Sequence, residues 1–222
     1  MLFARVYFPF ALGYAISYFY RNANAIIESD LVDEIGLGPA DLGLLTSAYF
    51  LSFAAFQLPL GILLDRYGPR RTESVLLLFA ALGAWIFSNA ETSTELVLGR
   101  LLIGLGVSAC LMAAFKAFVI WFQSERLPII NGMQMVAGGL GALGATTPLQ
   151  NVLYITDWRG GFSWLSIITV FASFCLWFVL PEHHSSVEKK PDFKTQLQEM
   201  VKVFRSQFFW SIAPLTAISS GA

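Results

Sequence analysis

Long apolar runs separated by short polar punctuation set the pattern of this chain, and six of them cover residues 6–27, 42–64, 74–89, 96–122, 129–155 and 162–180. A helix needs about 20 apolar residues to cross the ~30 Å hydrocarbon core of a bilayer, so each run is read as a membrane span. The third is short and extends toward Thr72. Pro148 is expected to kink or end the regular part of the fifth, and Pro181 stops the sixth, because proline lacks an N–H and crowds the preceding turn. The first run resembles a secretory leader, with Ala23-Asn24-Ala25 imitating a cleavage site. Its length, the interruption at Arg21 and the spans that follow argue against that reading.

Beyond Pro181 lies a polar linker over 182–191, after which Phe193, Leu197, Met200, Val201 and Phe204 recur at helical spacing. Lys194, Gln198, Lys202 and Arg205 fall off that stripe, the pattern of an amphipathic helix on a membrane surface. A seventh apolar run starts at Phe208 and reaches Ala222 before it is long enough to cross. The expected organisation is a six-span bundle over 1–181, a cytoplasmic linker with its surface helix over 182–206, and the start of a seventh span over 207–222.

Composition agrees with this pattern. The 222 residues are 56% hydrophobic and 13% charged, and the mean hydropathy is +0.63, values of a multi-pass membrane protein rather than a soluble domain. A net charge of −1 gives no reason to expect nucleic acid as a partner. Cys110 and Cys175 both fall inside spans, so neither a disulfide framework nor a zinc site is indicated. The adjacent His183 and His184 lack further metal ligands. No phosphate-binding loop or nucleophile elbow is present, so no cofactor, metal or catalytic residue is expected, and the chain is not read as an enzyme.

The distribution of charge sets the topology. Arg5, Arg66, Arg70, Arg71, Arg126 and the five bases of 182–206 lie on one set of loops and Arg159 alone on the other, which makes the first set cytoplasmic. The loop over 28–41 carries five acids and no base and belongs outside. The amino terminus is then cytoplasmic. No Asp or Glu is expected deep within a span, which weakens a proton–carboxylate relay in this part of the molecule.

Between the second and third spans stands GILLDRYGPRR, residues 61–71, with four charges and two glycines. Gly61 is suited to close helix contact and Gly68 to a sharp reversal. Asp65 is placed to pair among Arg66, Arg70 and Arg71. The order Gly61, Asp65, Arg66, Gly68, Arg70, Arg71 resembles the G-x-x-x-D-R-x-G-x-R-R loop of the major facilitator superfamily, with Pro69 where a basic residue is common. The resemblance implies an all-α integral membrane fold, whose amino-terminal six-helix bundle holds two inverted three-helix repeats and pairs with a carboxy-terminal six-span half. It also implies that the loop is a cytoplasmic latch holding the outward-facing state.

Charge within a span costs about 3 kcal/mol even on lenient scales, which makes Arg21, Arg100 and Lys116 candidates for function. Tyr14, Ser17, Arg21, Asn24 and Glu28 follow one another at helical spacing and form one polar stripe on the first helix. Arg21 either pairs with Glu28 or snorkels outward, or projects into a central cavity and binds an anionic group in bidentate fashion. YFYRNANAI, with Tyr18 among its aromatics, resembles the first-helix segment of the anion:cation and organophosphate branches, where the arginine contacts the substrate's anionic group. Lys116, in AAFKAFVIWF, lies about 10 Å from the inner turn, within snorkelling reach, and the segment resembles a fourth-helix pattern of the same branch. Arg100 opens RLLIGLG, which matches the superfamily's R-x-x-x-G-x-G. About 24 Å of helix separates it from Lys116, so the two cannot serve one small substrate, and Arg100 is read as a structural or gating residue. Gln134 and its polar neighbours on the fifth helix either line the cavity or join helices.

The reading is therefore a secondary active transporter of a bacterial inner (cytoplasmic) membrane, a symporter or antiporter moving a small solute, an organic anion, by alternating access. Arg21, Lys116, Tyr18, Ser17, Asn24 and Gln134 are its expected substrate contacts. The alternative is a transport-incompetent half that acts as a membrane scaffold or assembly partner, motivated by the seventh run's stop at Ala222.

Overall fold

A computed structural model describes residues 2–181, and its regular elements are helices. The expected surface helix and seventh span lie outside the described residues. α1 (Leu2–Ile26) is followed by the short α2 (Glu28–Ile35) and by α3 (Pro39–Ser88). α4 (Ser93–Val107) and α5 (Cys110–Trp121) share one line of chain, as do α6 (Leu127–Gly144) and α7 (Thr147–Leu153), and α8 (Trp158–Val179) follows.

α3 contains 50 residues, which would extend about 75 Å if straight, more than twice the hydrocarbon core. It is two spans. Gly68 has φ 79° and ψ 166°, a backbone state open essentially to glycine alone, and there the chain reverses. Pro69 then starts the second arm as a first-turn proline, whose fixed φ suits a helix start. This places the third span at 69–88 rather than 74–89 and brings Glu73 inside it. Gly68→Val is expected to lower stability by about 1–3 kcal/mol. Thermal unfolding of the solubilised protein measures this, and an unchanged midpoint would show that the turn is not constrained by its backbone.

The expected acidic loop is also partly helical. Ile27 breaks the run of α1, α2 continues to Ile35, and Gly36 closes it in the left-handed conformation with φ 75°. The chain re-enters at Pro39, where the Asp41 carboxylate accepts a 3.0 Å hydrogen bond from the Gly38 N–H. Thr92 and Glu95 cap the start of α4 reciprocally, the hydroxyl accepting from the Glu95 N–H and the carboxylate from the Thr92 N–H. The fifth crossing is interrupted after Gly144 and resumes with Pro148 in the first turn of α7, so the kink expected of Pro148 is found.

Packing follows the small residues. α3 lies against α4 and α8, and α1 against α6. A Cβ on Gly83 would meet the Gly99 carbonyl at 2.7 Å, and one on Gly99 the Gly83 carbonyl at 2.9 Å, so α3 and α4 cross backbone to backbone. Gly141 of α6 rests on the Ala15 carbonyl of α1 in the same way. Among the described residues nothing lies within 4 Å of a Cβ placed on Gly61. Large apolar side chains such as Leu51, Val119, Ile129 and Phe178 point outward. In water such a surface would drive aggregation, and in a bilayer it faces acyl chains.

Candidate functional site

α1 carries the site because its polar stripe meets an aromatic face of α3. Tyr49, Phe50 and Phe53 recur at three- and four-residue spacing on the first arm of α3 and, with Tyr14, Ser17, Tyr18 and Arg21 of α1, line a cavity of about 120 Å³. Val107 of α4 and Leu111 of α5 close its remaining side. Arg21 is exposed, its guanidinium carbon 5.1 Å from the Phe50 ring centre and 5.8 Å from that of Tyr18. These ring faces hold the cation electrostatically while leaving its N–H edges available. No carboxylate among the described residues pairs with Arg21, and Glu28 does not reach it. A planar cation with free donors in an aromatic recess suits a small anion.

Tyr14, Ser17 and Arg21 of the stripe line this cavity together with Tyr18. Three other expected contacts lie elsewhere. Gln134 is fully buried and donates through Nε2 to the Phe10 carbonyl at 3.1 Å, fastening α6 to α1. Asn24 donates to the Thr46 hydroxyl and accepts from Arg100 at 2.5 Å. Lys116 is paired with Asp65 across α5 and α3, both on the cytoplasmic side of the expected topology.

Arg100 is 2% exposed. It donates to the Tyr20 carbonyl at 3.0 Å and to Asn24, with the rings of Phe87 and Phe162 at 4.8 and 5.6 Å. The Tyr20 hydroxyl is 2.9 Å from Thr169 Oγ1, so Arg100 sits in a junction of α1, α4 and α8 rather than in the cavity. At the same end of the bundle Arg159 pairs with Glu34 at 2.9 Å and donates to the Ala90 carbonyl at 2.6 Å, tying α2 to the start of α8.

The loop over 61–71 makes contacts on two sides. Besides the Asp65–Lys116 pair, Arg70 donates to the Trp177 carbonyl of α8. Arg66 lies 5.6 Å from the Tyr67 ring centre. Gly68 makes the reversal, and Gly61 and Asp65 occupy the exposed side of the helix one turn apart.

Two features escape sequence reasoning. The aromatic wall of α3 is the first, and its signal is the spacing of Tyr49, Phe50 and Phe53 opposite a polar stripe. The second is Glu73, fully buried inside a span expected to hold no acid. Its signal is Pro69, which marks a helix start four residues before it.

Comparison with known proteins completes this picture. The chain is 26% identical over 173 residues to a probable L-galactonate transporter of Escherichia coli (strain K12), covering 78% of this chain and 38% of that protein. It is 32% identical over 139 residues to a nitrate/nitrite transporter of Picosynechococcus sp., covering 63% and 24%. A hexuronate transporter of Bacillus subtilis (strain 168) is 24% identical over 205 residues, covering 89% and 47%. The chain thus spans less than half the length of these curated relatives. Residues 10–222 match the family model of the Major Facilitator Superfamily, and with its long apolar helices, the glycine reversal and the basic loop, this integral membrane chain belongs to that superfamily of transporters.

Proposed function

We propose that the full-length protein is a secondary transporter of small anions that works by alternating access, with Arg21 as the residue that binds the anionic group. The observation that carries this reading is the exposed guanidinium, without an ion pair among the described residues, held over two aromatic rings in the cavity between α1, α3 and α5. The relatives named for galactonate, hexuronate and nitrate support an anion over a neutral solute. An anion drives the cycle only by binding its two states unequally, since equal affinity shifts no population. Ser17 and Tyr18 supply hydroxyls beside Arg21. Lys116, Asn24, Gln134 and Arg100 act through helix placement instead of substrate contact. The membrane is a bacterial inner membrane with the amino terminus cytoplasmic, and a carboxy-terminal six-span half closes the cavity from the opposite side.

The test is uptake of nitrate, galactonate and hexuronate by vesicles containing the full-length protein. Saturable uptake of at least one, insensitive to excess neutral sugar, is expected. Failure to move or bind any of them would remove the reading.

The exposed face carrying Gly61 and Asp65 supports a latch role for the loop. Lys116 and Asp65 retain 30% and 63% side-chain exposure, so the pair contributes only about 0–1 kcal/mol to stability. Asp65→Lys and Lys116→Asp are each expected to reduce uptake with little change in unfolding temperature, and the double exchange to restore it. If the double exchange stays as poor as the singles, the pair is not part of the latch.

A further inference from the structure

Glu73 is a buried acid that the anion site does not use. It stands one turn past the Gly68 reversal, and neither carboxyl oxygen has a hydrogen-bond partner among the described residues. A Cβ on Gly13 of α1 would lie 2.5 Å from Glu73 Oε1, so the carboxyl rests on bare α1 backbone that any side chain would displace. Leu77, one turn further along α3, covers the same spot, 3.7 Å from that position. From α5 the Cys110 thiol faces the carboxyl. Arg70, one turn earlier on α3, is directed to α8 and the Trp177 carbonyl. No Lys, Arg or His among the described residues pairs with Glu73.

A carboxylate withdrawn from water with no cation and, at most, one weak thiol donor is far more costly to hold than the neutral acid. We propose that Glu73 is a proton-binding site, occupied while α1, α3 and α5 are packed as here and emptied to water when α1 moves off α3. In the emptying step the Glu73 O–H bond breaks and the proton passes to water entering between the helices; refilling reverses it, and no other reactant is needed. The site shares its supports with the anion cavity. Gly13 and Cys110 are chain neighbours of Tyr14 and Leu111, which line that cavity, so a shift of α1 caused by an anion at Arg21 also uncovers Glu73. The link to transport rests on the anion-transporter reading; the proton site itself rests on the packing.

Infrared difference spectra of the full-length protein in lipid vesicles, wild type minus Glu73→Gln, test the site at neutral pH in H₂O and D₂O. The expected result is the carbonyl stretch of an unionised, dehydrated carboxylic acid that shifts in D₂O and is absent from Glu73→Gln. A carboxylate band in its place overturns the proposal. Glutamine has the shape of the acid, so the unfolding midpoint should be unchanged; a large fall would show a charged, partnered carboxylate and also overturn it. Gly13→Ala, which fills the space of the carboxyl oxygen, is expected to remove the same band, and its persistence there counts against the site. For coupling, labelled nitrate and galactonate are followed in the same vesicles under a pH gradient of one unit, which supports about tenfold accumulation for one proton per anion. Glu73→Gln should lose that accumulation while keeping anion exchange, and accumulation equal to wild type overturns the coupling role. A wild type that moves neither anion removes the transport reading, and the infrared result then decides the proton site alone.

Discussion

Arg21→Ala is expected to abolish measurable anion uptake while leaving the amount and unfolding temperature of the inserted protein unchanged. The two halves of this expectation follow from one geometry. Arg21 is exposed and, among the described residues, joins no helix to another through a hydrogen bond; its described contacts are the faces of Tyr18 and Phe50. Exposed cation–π contacts contribute about 0.5–1 kcal/mol, too little to unfold the bundle. A hydrogen bond to a charged group contributes about 1.5–3 kcal/mol, so losing a bidentate pair costs on the order of 100- to 10,000-fold in affinity at 1.4 kcal/mol per decade. Arg21→Lys keeps the charge but not the planar fork, and should retain partial uptake with a KM raised roughly tenfold. Phe50→Leu separates support from binding, because it removes a ring under the guanidinium and leaves its donors intact. Its effect should be smaller than that of either Arg21 variant. A wild-type KM in Arg21→Ala would take Arg21 out of the site.

The crossings were legible because a span is a bulk property. About 20 apolar residues in a row leave few alternatives, and a 50-residue helix must fold back where Gly68 stands. The stripe on α1 was legible for a similar reason, since Tyr14, Ser17 and Arg21 share one helix and their relation depends on helical period alone. Relations between helices were not legible. Asn24 and Gln134 are polar residues in spans, and polarity is required equally by a water-filled cavity and by a hydrogen bond between helices. Only the placement of Phe10 and Arg100 shows that both residues fasten helices. Lys116 and Asp65 are separated by 51 positions, and no periodicity reports on a meeting over that distance. The burial of Glu73 was hidden by an assumption about where the third span starts. Hydropathy places the boundary after the last charge, whereas Pro69 places it before two arginines and an acid.

The same distinction between a charge and its partners governs Arg100. Sequence offers it as a charged residue within a span and hence as a functional candidate; the structure gives it the Tyr20 carbonyl, Asn24 Oδ1 and two ring faces. Removing the charge and removing its partner should then have unequal effects. Arg100→Met deletes the desolvation cost along with the bonds; the Tyr20 carbonyl keeps its place in α1, and Asn24 Oδ1, on a side chain only partly buried, loses its donor. The expected loss is about 1–3 kcal/mol. Asn24→Leu instead leaves the guanidinium buried with one of its two hydrogen-bonded partners gone, a situation that costs about 3–5 kcal/mol in buried pairs. Arg100→Lys belongs with it, because one ammonium cannot lie flat between Phe87 and Phe162 and also reach both acceptors. Combining Arg100→Met with Asn24→Leu should be less destabilising than Asn24→Leu alone, since the stranded charge is no longer there. Thermal unfolding of the four variants measures the order. If Arg100→Met proves the worst of them, the cation itself stabilises the junction of α1, α4 and α8, and its removal rather than its isolation is what the bundle cannot tolerate.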